Sequence, residues 1–127
     1  MAGNLSNYLE NKVLDHIMGT TTYTKPSAVY VALYTAAPSD TGGGTEVTGG
    51  SYARQTAAFD AASSGATQNS ANIDFTVMPA CTVVAIGIFD ALTTGNLLVW
   101  GTLSTNKSLD AGDTLRIATG DLDISLD

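Results

Sequence analysis

From Thr20 onward, short runs of β-branched and aromatic residues recur at roughly ten-residue spacing, separated by clusters of Gly, Asn, Asp and Ser and with no helical segment between them. Strands so spaced, with no crossover helices, must pair antiparallel. The expected fold is therefore mainly β: an antiparallel β-sandwich or small barrel of about seven strands with one N-terminal helix, in a single domain over residues 1–127. Ala28–Tyr34 places Val29, Val31 and Leu33 on one face and Tyr30 and Tyr34 on the other. Tyr52–Phe59 and Ile73–Val77 follow. Thr82–Phe89 is apolar on both faces, which predicts a central strand, and Leu97–Leu103 predicts a largely buried one with Trp100 in the core. Asp113–Ala118 and Asp121–Leu126 alternate on either side of a tight turn at Ala118–Asp121. Gly95-Asn96 is the turn signal between Asp90 and Leu97.

Two segments depart from this rhythm. Leu5, Tyr8, Leu9, Val13, Ile17 and Met18 recur at helical spacing, predicting a helix over residues 4–18. Asn4 or Ser6 can cap its start, Gly19 can close it in a left-handed conformation, and Glu10, Asn11, Asp15 and His16 face solvent. Residues 36–51 contain the consecutive Gly42, Gly43 and Gly44 and offer little to bury, which predicts a mobile Gly/Thr-rich loop or an arm that orders on contact. The polar stretch Ala61–Asn72 reads as a shorter version of the same thing.

Charge excludes several functions. Twelve acidic residues face only five basic ones. Lys12, Lys25, Arg54, Lys107 and Arg116 are scattered, so neither nucleic acid nor an anionic membrane surface is an expected partner. No apolar run approaches the ~18 residues of a membrane span. Met1-Ala2-Gly3-Asn4 lacks the basic start and apolar run of a secretory leader, so synthesis in a host cytoplasm is expected. Ten of the twelve acids are Asp, which favours turns and caps. Charged residues make up 13% of the chain, and a surface of Thr, Ser, Ala and Gly suits packing against neighbours. Cys81, the single cysteine, lies in an apolar stretch and reads as a buried structural thiol.

Few residues are arranged for catalysis. His16, the one histidine, has no nucleophile beside it. The Gly42–Gly44 run lacks the Lys-Ser/Thr of a phosphate loop. Asp110 and Asp113 flank Gly112 as turn residues would. Asp121, Asp123 and Asp127 share one face of a strand, an arrangement that could hold a divalent cation but matches no calcium loop, so no metal is assigned. A carboxylate-based glycosidase would need two such acids facing each other across a groove. The expectation is a non-enzymatic protein with no cofactor. Arg54, in GGSYARQ, is suited to a bidentate ion pair with a carboxylate of its own chain or of another subunit.

Read together, NYLENKVLDHIMG, TKPSAVYVALYTAAPSD, TEVTGGSYARQ and the C-terminal AGDTLRIATGDLDISLD resemble a family of small tailed-phage virion proteins, labelled tail-fibre-like, minor structural or capsid-decoration proteins. The resemblance covers nearly the whole chain. It implies a place in the virion and brings no catalytic residues with it. A short chain without repeats, carrying a loop that could reach over neighbours, suits a capsid decoration (cement) protein bound to the major capsid protein. The alternative is a tail or tail-fibre component that contacts tail proteins and takes part in host adhesion. A closed homo-oligomer, for instance a trimer, is expected in either case. Tyr52, Arg54, Gly42, Gly43 and Gly44 are the expected assembly contacts.

Overall fold

A computed structural model describes residues 4–126. In chain order the elements are β1 (Asn4–Leu5), α1 (Asn7–Ile17), β2 (Val29–Ala36), β3 (Thr45–Glu46), β4 (Gln55–Ala57), β5 (Ala66–Gln68), β6 (Ile73–Phe75), β7 (Cys81–Phe89), β8 (Leu97–Leu109), β9 (Leu115–Ile117) and β10 (Asp123–Ser125). The fold is mainly β with one N-terminal helix, as expected, and every strand pairing is antiparallel.

A six-stranded sheet runs β1-β8-β7-β2-β3, with β4 also on β2. The central β7 lies between β2 and β8, which explains its apolar character on both faces. One face of the sheet presents Val31, Leu33, Ile86, Ile88 and Val99. Against it lie two short ribbons, β5–β10 and β6–β9, which supply Ile73, Phe75, Leu115 and Leu122 to the same core. The other face carries a smaller cluster of Ala32, Tyr34, Ala85, Phe89 and Leu97.

Several boundaries differ from the sequence reading, each for a physical reason. The helix starts at Asn7 because Asn4 and Leu5 pair with Trp100 and Val99 at the sheet edge. Ser6, one of the two expected caps, closes the first turn by accepting the Leu9 N–H and donates its own hydroxyl to the Leu97 carbonyl. Gly19 is not left-handed. The last turn closes at Met18, and a Cβ at Gly19 would lie 2.9 Å from the Asp15 carbonyl oxygen. β8 extends to Leu109 because its polar second half pairs with Cys81–Val83 across an irregularity that leaves Leu103–Asn106 unpaired with β7.

The turn at Ala118–Asp121 exists, but it does not make a hairpin of its two flanking strands. It passes the chain from β9, paired with β6, to β10, paired with β5. Asn69 pins this turn: its side chain donates to the Ala71 and Ala118 carbonyls and accepts from the Gly120 and Leu122 N–H groups. All four hydrogen-bonding positions of a fully buried amide are thereby filled. Ala61–Asn72, read as a loop, contains β5 and this pin.

Candidate functional site

The segment expected to be a mobile arm instead lies folded against its own sheet. Ser39 and Gly42 exchange backbone hydrogen bonds of 2.8 and 2.9 Å, β3 pairs with the end of β2, and Val47 is buried. Its three consecutive glycines divide into two roles. Gly42 and Gly43 have φ of +97° and +78° with open space where a Cβ would stand. Gly44 has φ +73°, and its Cβ would fall 2.6 Å from the Ala36 carbonyl oxygen, so only glycine lets the chain pass there.

What holds the loop down is an acid missing from the expected site residues. β3 and β4 are both short and leave a gap along the edge of β2. In that gap the Leu33 carbonyl accepts the Val47 N–H, and the Leu33 N–H donates to the Tyr52 hydroxyl at 3.0 Å. Tyr52 in turn donates to Glu46 Oε2 at 2.8 Å, and its ring stacks on Phe75. Arg54 grips the same carboxylate through Nε (3.0 Å) and Nη2 (2.9 Å). Its Nη1 donates to the Ala91 and Thr94 carbonyls in the β7–β8 turn, and its guanidinium lies 3.7 Å over the Phe89 ring. A single arginine thus ties the loop, the strand edge and the turn together.

Burial makes this clasp count. The Arg54 side chain is 8% exposed and that of Glu46 28%. Burial alone would raise the Glu46 carboxyl, but hydrogen bonds from Arg54 and Tyr52, with the Arg54 charge, outweigh it and hold the group below its ordinary range. Burial pushes the Tyr52 hydroxyl well up; the Leu33 N–H opposes that shift, and the Glu46 charge adds to it. Arg54 stays charged: burial disfavours its cation, but Glu46 more than compensates. The ion pair left open by the sequence, within the chain or between subunits, is therefore within the chain. Tyr52 and Arg54 are directed inward to Glu46, whereas Gly42 and Gly43 face outward.

Asp40 anchors the tip of the loop. Its carbonyl accepts the Asn7 N–H at 2.9 Å, and its Oδ1 accepts the Trp100 indole N–H at 2.8 Å. Trp100, expected in the core, is half-buried on the outer face, because its N–H needs a polar partner and Asp40 supplies one there. Between the loop tip, the start of α1 and the outer face of the sheet runs a groove of about 530 Å³, whose lining includes Asn7, Tyr8, Tyr34, Asp40, Phe89 and Asn96.

The remaining candidates are separate. Asp113 accepts the Asp110 N–H at 2.8 Å, which makes this pair a turn. Asp121 and Asp123 are exposed, and Asp127 lies outside the described residues. Among the described residues no group of three or more His, Cys, Asp or Glu could hold a metal ion. His16 accepts the Tyr23 N–H at the surface. Cys81 is half-buried at the start of β7, where burial raises its thiol. Helix α1 buries no residue, and beyond its contacts at Tyr8 and Leu9 it leaves Val13, Leu14, Ile17 and Met18 exposed on one side.

A family model described as Podophage GP4 fiber I protein gp80 matches residues 4–125. No curated protein matches the chain.

Proposed function

Because the chain belongs to the Podophage GP4 fiber I protein gp80 family, we propose that it is a fibre component of the phage particle, held there by protein–protein contacts and without enzymatic activity. A structural role in the virion follows from the family itself; the choice of fibre over capsid cement is the proposal. The observation that carries it is the family match over residues 4–125. The folded loop adds support. One of the two grounds for a cement protein was an arm free to reach across neighbouring subunits, and Glu46 and Arg54 tie that arm to its own sheet. Asp113, one of the two acids a glycosidase reading would use, is engaged in a turn by the Asp110 N–H.

Assembly with other copies is part of this reading. The exposed Leu14, Ile17 and Met18 follow the i, i+3, i+4 spacing of a helix–helix seam, with Val13 beside them. A chain of net charge −7 repels its copies over most of its surface. The apolar side of helix α1, with Lys12 as its one cation beside Glu10 and Asp15, is where copies can approach.

The test is gold-labelled antibody against this chain on intact particles. Label on fibres is expected, and label spread evenly over the head would restore the cement reading. Replacing Leu14 and Ile17 by Glu is expected to turn an oligomer into a monomer by light scattering with the far-UV circular dichroism unchanged. A wild-type chain that is already monomeric at high concentration would remove self-assembly from the proposal.

A further inference from the structure

The outer face of the sheet holds one polar group with no assigned work. Tyr34 is 4% exposed, yet its hydroxyl makes no hydrogen bond among the described residues. Its ring packs against Gly87, where an added Cβ would come within 3.0 Å of Tyr34 Cε2 and 2.9 Å of Leu97 Cδ1. Any side chain at position 87 would therefore displace the ring, and Leu97 and Phe89 pack in the same cluster. Among the described residues no fully buried side-chain polar atom lacks a partner, so the phenol oxygen opens to the space above it. That space is the groove of about 530 Å³.

The lining narrows the chemistry. Tyr34 on β2, Asn7 on α1, Asp40 and Thr41 in the loop and Asn96 in the β7–β8 turn bring hydroxyl, amide and carboxylate groups to it from four segments. Asp40 is the one charged residue among them, and no Lys or Arg lines the groove, which disfavours an anion. Tyr8, Phe89 and Leu97 add apolar surface. Such a mixture of donors, acceptors and aromatic edges matches a ligand with many hydroxyls and an apolar ring face. The volume is that of a small-molecule site. The site is also fixed in advance: Asp40 is held by Trp100 and by the Asn7 N–H, and the loop tip by the paired Ser39 and Gly42. Burial, with the Glu46 charge adding and Arg54 opposing, keeps the Tyr34 hydroxyl protonated, so it can donate.

We propose that this groove binds one neutral sugar unit of a glycan, with the Tyr34 hydroxyl, the Asp40 carboxylate and the Asn7 amide as its hydrogen-bonding partners. The site goes beyond the fibre role, and a chain that failed to bind sugar would still be a fibre component.

The experiment is an NMR titration of the isotope-labelled full chain with the methyl glycosides of glucose, galactose, mannose and N-acetylglucosamine, with glucuronate as the anionic comparison. At least one neutral glycoside is expected to shift the amides of Thr41–Gly43 and Gly95–Leu97 saturably, with glucuronate binding more weakly. Tyr34→Phe is expected to weaken that binding about tenfold, the effect of one buried hydrogen bond. The exposed-rim variant Asn7→Ala is expected to weaken it several-fold, and both variants should keep the wild-type amide pattern elsewhere. No saturable shift with any neutral glycoside, or equal binding by wild type and both variants, would overturn the proposal. So would groove amides that move only when another virion protein is added, since that points to a protein contact.

Discussion

Two arginine–carboxylate pairs in this molecule have nearly the same geometry and very different consequences. Arg54 grips Glu46 through Nε and Nη2 at 3.0 and 2.9 Å; Arg116 grips Asp74 through the same two nitrogens at 2.7 and 3.0 Å. The first pair is 8% and 28% exposed, the second 58% and 36%. Arg54 also serves two turn carbonyls and an aromatic ring, and Glu46 also accepts from Tyr52. Arg116 and Asp74 sit directly opposite each other on β9 and β6, in strands that already pair through their backbones. Fork geometry alone therefore does not make an ion pair structural. What matters is whether water can replace it and whether other contacts depend on it.

The largest effect is expected from Arg54→Ala. It leaves the Glu46 carboxylate half-buried without its partner and releases the β7–β8 turn, at a cost of about 3–5 kcal/mol. Urea unfolding measures this, and a loss below about 1 kcal/mol would place the pair in the same class as Asp74–Arg116. Glu46→Gln comes next, at about 1–3 kcal/mol, because the amide keeps part of the hydrogen bonding while Arg54 loses its counter-charge. It also carries a pH signature. The Glu46 carboxyl is held below its ordinary range in the fold, so its stabilisation is complete above the unfolded value, near 4.3, and is lost as pH falls through the lower folded value. Wild type is expected to lose more stability over that acid window than Glu46→Gln. Parallel curves would contradict the assignment.

Phe89→Leu removes the ring beneath the guanidinium and is expected to cost about 1–2 kcal/mol. Combining it with Arg54→Ala should cost less than the sum of the two single changes. Arg116→Ala is expected to leave the melting temperature within error of wild type. A clear drop would show that the exposed pair carries weight its accessibility does not suggest.

The contrast also explains which parts were legible in sequence. The faces of β2 and the central place of β7 could be read because their neighbours are fixed by period-two burial. Glu46 could not. It stands only eight residues before Arg54, inside TEVTGGSYARQ, but glycine on either side makes that stretch look unstructured. The one apolar clue was Val47, and a single buried side chain has no period. Strands at β6, β9 and β10 were legible, but β5 and the pairing of the two ribbons were not: β5 and β6 are three residues long, and their partners β10 and β9 lie forty or more residues later. Trp100 misled because its run of apolar neighbours is buried while its own N–H is drawn outward to Asp40. For the groove, Tyr34 was placed on the correct face, but nothing local indicates that its hydroxyl lacks a partner.

The Arg54–Glu46 clasp makes the loop of this virion protein part of a pre-folded unit, and not an arm awaiting a neighbour. Amide hydrogen exchange at Val47 in the isolated chain tests it most directly, since that N–H bonds the Leu33 carbonyl only while the loop is down. Protection at Val47 is expected to be close to that of the β2–β7 core, with a marked loss of it in Arg54→Ala. Free exchange at Val47 in the isolated wild type, with protection appearing only once other virion proteins are added, would contradict it and return the loop to the role of a reaching arm.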